Sequence, residues 1–263
     1  MGSQNVQSNL WGKRAEDWAN FQEPTHIVVY KYVLDLLQLQ STDKLLDVGC
    51  GSGWFCKLAS AESAAVTGFD GTEALIEQAK KRVADINFFV GEMEALPFED
   101  RTFNVVTGFN SFQYAANVKN ALMEAKRVLK DDGKLVVNIW GNKEDCEAAT
   151  YLKAVGSLLP PPPPGAGGPF ALSENNLLEN ILEEVGFKIF INTDIDGIWD
   201  YENKEIALKG LMSSGPVAKA VENSGYEKVF ETVSNAMQPY IQTNGHVVYK
   251  NKFRVVVAEK INY

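Results

Sequence analysis

Residues 45–53 read Leu45-Leu46-Asp47-Val48-Gly49-Cys50-Gly51-Ser52-Gly53, a short apolar run that breaks into three glycines at alternate positions. The pattern predicts a buried strand, a tight turn, and a helix whose first N–H groups face outward. Glycine is required where a side chain would collide with a ligand or demand an unfavourable φ. A second apolar run ends on Asp70, where a strand-end carboxylate can accept hydrogen bonds from a ribose diol. By itself the loop also fits an ordinary strand-to-helix turn, so its surroundings decide its meaning.

Spacing narrows the ligand. A dinucleotide fingerprint, G-x-G-x-x-G, wants glycine or alanine at position 54, and Trp54 stands there. A phosphate-binding P-loop needs a Lys-Ser/Thr pair that does not follow Gly53. What remains is D-x-G-x-G-x-G.

The 263 residues suit one large domain, or a domain with a sizeable insertion. A hydrophobic content of 45% is ample for a packed core, and a net charge of −9 without any Lys/Arg run argues against nucleic acid as the partner. Cys50, Cys56 and Cys146 lack Cys-x-x-Cys spacing and read as reduced thiols. Residues 1–10 carry no apolar signal core, and no stretch approaches the roughly 18 apolar residues of a membrane span. The expectation is a cytoplasmic protein that binds no membrane.

Periodicity predicts a helix over 5–22 with Trp11, Ala15, Trp18 and Gln22 on one face, and a second helix that Pro24 opens and that runs to Leu39. From position 43, strands over 45–48, 64–69, 86–90, 103–109 and 135–140 alternate with helices over 53–60, 72–83 and 117–129, and Asp131-Asp132-Gly133 turns into the fifth strand. Near-continuous apolar strands alternating with helices imply an α/β fold, a doubly wound parallel sheet covered on both faces. A helix over 143–158 then meets five prolines (160–164) and Gly165-Ala166-Gly167-Gly168-Pro169. This stiff segment and hinge can be a connection, a ligand for a proline-binding module, or a wall over a cavity. Ser173 is expected to cap a helix through Val185, which Gly186 stops before strand six begins over 187–191. A mostly helical insertion, 203–240, precedes a last strand over 246–258. The organisation is a lid (1–40), a core (41–142), a connection (143–202), a cap (203–245) and the last strand (246–263), within one domain.

D-x-G-x-G-x-G, with Asp70 and the stretch Val90-Gly91-Glu92-Met93-Glu94-Ala95-Leu96-Pro97-Phe98, resembles class I S-adenosylmethionine (SAM) methyltransferases over roughly residues 10–140. The resemblance implies a Rossmann-like sheet of about seven strands with the last antiparallel, an N-terminal helical lid, and SAM as cofactor with S-adenosylhomocysteine as product. It implies that Asp47 sits near the methionine amino group, that Gly49, Cys50, Gly51 and Gly53 pass under methionine and ribose, and that Asp70 with Gly71 holds the ribose. Glu92 and Met93 would take the adenine, Asn110 would lie beside the sulfonium, and Trp11 and Trp18 would fold over it. Phe112, Gln113, Tyr114, Trp140 and Phe170 are expected to face the acceptor. Asn104 replaces the aspartate frequent at the start of strand four. The [DNS]-P-P-[YFW] signature of amino-methyltransferases and the acidic cluster of metal-assisted catechol enzymes are absent. That points to the small-molecule branch, which includes menaquinone/ubiquinone-type enzymes, with no metal.

Methyl transfer from a cationic sulfur is an in-line displacement governed by positioning and desolvation. Aromatic faces suit a sulfonium as they suit ammonium ions, although each of these aromatics also fits simple packing. A general base is needed only for an acceptor of high pKa; Tyr114, His26 and His246 are the candidates. The expected function is a SAM-dependent methyltransferase, monomer or homodimer, acting on a small or medium-sized, partly apolar molecule. A SAM-binding sensor or partner subunit is the alternative, and Trp54 disfavours a nicotinamide oxidoreductase.

Overall fold

The computed structural model describes residues 2–62, 65–161 and 168–261. Ala64, the expected start of the second strand, and residues 162–167 of the Pro/Gly segment lie outside them. Seven strands form one sheet: β1 (Lys44–Val48), β2 (Ala65–Asp70), β3 (Asn87–Val90), β4 (Phe103–Phe109), β5 (Leu129–Trp140), β6 (Phe187–Tyr201) and β7 (Val247–Lys260). Their order is β3-β2-β1-β4-β5-β7-β6. β1 to β5 pair in parallel, while β7 runs antiparallel between β5 and β6. The chain steps outward from β1 in one direction and returns to place β4 on its other side. Ligands bind at such a switch point, outside the carboxyl ends of the strands.

Period-two alternation sorts the strand residues into two layers. Leu45, Val105, Val136, Val255 and Val257 belong to the layer covered by the helices Ile27–Leu37, Trp54–Ala61 and Glu73–Arg82. Leu46, Val106, Leu135, Val137 and Val256 pack under the helices Val118–Val128 and Leu177–Glu184. A sheet buried on both faces explains strands without a polar side. Asn104 has a structural task at the start of β4, where its Oδ1 accepts from the Lys44 N–H and from Lys130 Nζ, each at 3.0 Å.

Several local expectations are corrected. The helix over 5–22 is broken: it runs Gln4–Gly12, Arg14 leaves helical geometry at φ −137°, and a turn at Ala15–Asp17 leads into a π-turn at Trp18–Gln22. Gly12 is a weak helix former, and the Arg14 side chain turns to Asp17. Asp131-Asp132-Gly133 does not precede β5 but is absorbed within it; the register jumps from Phe103↔Leu129 to Val105↔Lys134. Ser173 does not cap a helix. It is buried, and its hydroxyl bonds the Trp140 carbonyl, while Asn176 occupies the N-cap of Leu177–Glu184.

β6 and β7 make a long hairpin. Phe253 pairs with Trp140 at the end of β5 and with Ile195 of β6. The hairpin's last turns, up to Tyr201 and from Val247, therefore project past the carboxyl end of β5. The helices Lys204–Leu211, Gly215–Ser224 and Tyr226–Met237 join these ends. The insertion is thus carried above the switch point. No helix among the described residues is long and apolar enough to cross a membrane.

Candidate functional site

The glycine loop leaves β1 at the switch point. Gly49 has φ +75°, and a Cβ there would lie 2.2 Å from the Ser111 Cβ; Gly51, at φ +55°, would bring one to 3.2 Å from a Glu23 carboxylate oxygen. Both positions combine a left-handed backbone with close approach, which only glycine meets without strain. The expected outward-facing N–H groups, however, are already engaged. Gly51 N donates to Asp70 Oδ2 at 2.9 Å, and Ser52 N and Trp54 N donate to Glu23 at 2.9 and 3.2 Å. Ser52 Oγ adds a 2.5 Å bond to the same carboxylate. Glu23 comes from the N-terminal segment, and it fills the anion site that the start of the helix creates. Its pKa is raised, with burial outweighing the hydrogen bonds from Ser52 and the attraction of Arg82. Arg82 bonds Ser52, donates to the Ala19 carbonyl at 2.8 Å and lies 4.5 Å over the Trp54 ring.

A cavity of about 390 Å³ opens beside this loop. At one end its wall is Gly49, Gly51, Asp70, Gly71, Glu92 and Met93. Asp70 Oδ1 accepts from Thr72 N at 2.8 Å, and burial holds its carboxyl above the usual range. Glu92 Oε2 accepts from Gln4 N at 2.8 Å, which ties the first helix to the loop after β3. Trp11, Trp18 and Tyr114 contribute an aromatic corner; Trp11 meets Trp18 edge-on at 4.7 Å and Tyr114 at 5.3 Å.

Beyond β4, Asn110 holds a left-handed φ of +48° and its Nδ2 lies 2.9 Å from His26 Nε2. The amide nitrogen can only donate, so Nε2 accepts and the ring proton resides on Nδ1. Burial lowers the His26 pKa to about 4; the imidazole is neutral at physiological pH. Tyr114 is pushed up to about 12, again by burial. Asn110 Oδ1 and both polar atoms of the Gln113 amide are buried without a hydrogen-bond partner. The Gln113 amide acts on the nearby Tyr114 phenol, lowering its pKa against burial, but does not reach it in bonding geometry. Such unpaired groups are rare in native interiors.

Of the residues singled out from sequence, Trp11, Trp18, His26, Gly49, Gly51 and Asp70 reach this wall, as do Gly71, Glu92, Met93, Asn110, Gln113, Tyr114 and Trp140. The others do not. Asp47 points under the loop, where it accepts from Thr107 Oγ1 at 2.7 Å, and burial lifts its pKa to about 7. Cys50 and Gly53 pack behind the loop against Phe88, with the Gly68 backbone beside Cys50. Phe112 fills the opposite layer, and Phe170 backs Trp140 at 5.3 Å. His246 is drawn to Asp200 on the neighbouring strand, its Nδ1 2.7 Å from the carboxylate, and lies off the cavity. Sequence reasoning missed Glu23, Tyr151, Trp199 and Leu211. No local pattern signals them, because each reaches the site from a distant segment.

Comparison with known proteins agrees with this architecture. The family model described as a methyltransferase domain matches residues 46–137. A demethylmenaquinone methyltransferase of Thermotoga maritima is 35% identical over 109 residues, 41% of this chain and 48% of that protein. The chain thus spans about half the length of that curated relative. The crystal structure of the YcgJ protein of Bacillus subtilis superposes with a TM-score of 0.59 at 18% identity, over 90% of this chain and 100% of that one. A geranyl diphosphate C-methyltransferase of Streptomyces coelicolor, solved with Mg2+, geranyl diphosphate and S-adenosylhomocysteine, gives 0.54 at 14% identity over 90% and 81%. The sheet order and these superpositions give the chain the Rossmann-like fold of class I methyltransferases, and residues 46–137 match a methyltransferase domain.

Proposed function

We propose that this protein is a methyltransferase that binds SAM and methylates a small or medium-sized, partly apolar molecule. One observation carries the reading. A single cavity joins the Asp70–Glu92 end, beside the glycine loop, to an apolar chamber under the helical insertion, and the unpaired Asn110 Oδ1 and Gln113 amide belong to residues of its wall. A molecule with a ribose, an adenine and an amino-acid tail satisfies such a wall. Asp70 and Gly71 would hold the ribose hydroxyls, Glu92 and Met93 the adenine, and the loop glycines the methionine end. Asp47 would act from beneath the loop, through Thr107 and the strand end, without touching the ligand.

SAM supplies an electrophilic methyl group on a cationic sulfur. When SAM is bound, an acceptor atom would bond to that carbon as the carbon–sulfur bond breaks, its electron pair staying on sulfur and any acceptor proton leaving to solvent. The aromatic corner of Trp11, Trp18 and Tyr114 favours a cation and excludes water. Holding two reactants in line supplies about 7–11 kcal/mol, so the chain's main task is positioning. Isothermal titration with SAM and S-adenosylhomocysteine tests the reading. We expect binding that Asp70→Ala weakens by roughly 1–3 kcal/mol, the loss of hydrogen bonds to a charged group; silence at about millimolar ligand overturns it.

A second reading, a SAM-binding sensor or partner subunit, draws support from His26 and Tyr114, whose pKa values of about 4 and about 12 leave neither suited to take a proton at neutral pH. Release of S-adenosylhomocysteine with any acceptor decides for catalysis. The negative charge and three buried free cysteines support a cytoplasmic monomer or homodimer with a small-molecule partner and no nucleic acid. The names of two similar proteins point to different acceptors, a demethylmenaquinone and a geranyl diphosphate. The walls of this chain's own chamber bear on that choice.

A further inference from the structure

The far chamber is built from elements that sequence alone did not bring together. Trp140 closes it from the end of β5 and Trp199 from β6. Tyr151, Leu152 and Val155 come from the helix Ala148–Gly156, and Leu211 from the insertion. Among the described residues no lysine or arginine lines the cavity anywhere. Residues 162–167, outside the described residues, read Pro-Pro-Pro-Gly-Ala-Gly, a sequence without ionisable side chains. The ionisable acids on the wall, Asp70 and Glu92, are at the other end, both bonded to backbone N–H groups.

Desolvating a carboxylate or phosphate here would cost several kcal/mol with no cation to offset it. A cationic acceptor fares little better, because the carboxylates are remote and engaged. The chamber is not wholly apolar, however. On the same cavity wall the Gln113 amide, beside the Tyr114 phenol, and the Trp199 indole N–H are buried without a bonded partner. A hydroxyl satisfies a primary amide in both senses, and a carbonyl satisfies its N–H.

We infer that the acceptor is an uncharged, hydrocarbon-rich molecule whose hydroxyl or carbonyl group is read by the Gln113 amide, which makes Gln113 a specificity-determining residue. The inference rests on the methyltransferase reading only in calling this molecule the acceptor; the chamber's selectivity stands apart from the donor.

The test uses the full chain, saturated with S-adenosylhomocysteine, and quenching of tryptophan fluorescence by four matched probes: para-pentylphenol, pentylbenzene, para-pentylbenzoate and para-pentylbenzylamine. The phenol should bind at least about tenfold more tightly than each of the others, because a site built for a hydroxyl leaves its polar groups unpaired around analogues that lack it. Gln113→Met should bring phenol and pentylbenzene to within about twofold while pentylbenzene binds as before, a pattern a folding defect does not produce. Leu152→Lys should raise the benzoate's affinity at least about tenfold, a gain that misfolding cannot mimic. Equal or tighter binding of benzoate or benzylamine by the unaltered chain, or no binding of the phenol, overturns the inference. If S-adenosylhomocysteine does not bind, the donor reading fails instead, and the probe ranking measured without it still decides this one.

Discussion

Two buried ionisable side chains flank the glycine loop and should give the protein opposite pH signatures. Asp47 has a folded pKa of about 7 against an ordinary value of 3.8. A raised acid contributes stability that is complete below the ordinary pKa and is lost as pH climbs through the folded one. Asp47→Asn keeps an acceptor for the Thr107 hydroxyl but cannot ionise. It should therefore gain on the native chain between about pH 4 and 8, by a few kcal/mol, read from urea midpoints at each pH. A constant difference across that range would contradict a buried, protonatable Asp47. His26 behaves the other way. Its pKa falls from 6.5 to about 4, so its contribution is present above 6.5 and lost as pH falls through about 4. Its C2 proton should not titrate by NMR between about pH 5 and 8; a midpoint near 6.5 would mean that the ring meets water.

At the scale of elements, one carboxylate latches the N-terminal segment to the glycine loop. Glu23 accepts from two loop amides and a hydroxyl, while Gln22 accepts from the Tyr201 hydroxyl at 2.7 Å and Trp11 packs on Gly215. The N-terminal segment thus holds both the glycine loop and the insertion. Removing the Glu23 carboxylate strands buried donors, each costing about 1–3 kcal/mol. Glu23→Ala should destabilise the chain by at least that amount and speed hydrogen exchange at the Ser52 and Trp54 amides more than at β4 amides. Uniform acceleration would instead mean that the latch is not local. Glu23→Gln retains one acceptor and should fall between.

For the molecule as a whole, a ligand held between the sheet, the N-terminal segment and the insertion must stabilise all three together. S-adenosylhomocysteine at about 100 times its Kd should add about 2.7 kcal/mol, or roughly 5–10 °C in Tm for a chain of this size. Scanning calorimetry should record one transition moving upward. An unmoved transition would separate the cavity from the proposed ligand.

The alternation of apolar runs, the glycine loop and Asp70 were enough to specify a doubly wound sheet and one end of the cavity. These signals are local: a strand's period, a turn's φ and a carboxylate at a strand end depend on neighbours in the chain. Even there, local reasoning left the loop N–H groups free, because nothing near position 51 reveals a partner at Glu23. Asp47, Cys50, Phe112, Phe170 and His246 were legible as residue types, but the direction of each side chain depends on packing between layers. The far chamber was legible only in part: Gln113, Tyr114 and Trp140 were expected at the cavity and line it, but their partners there were not. Trp140, Tyr151, Trp199 and Leu211 meet only because the antiparallel β7 lengthens the β6 hairpin past β5 and carries the insertion over the switch point. Short-range sterics and hydrophobic periodicity therefore determined the glycine-loop end of the cavity, while the far chamber was decided by contacts between residues far apart in the chain, whose geometry exists only after the sheet has closed.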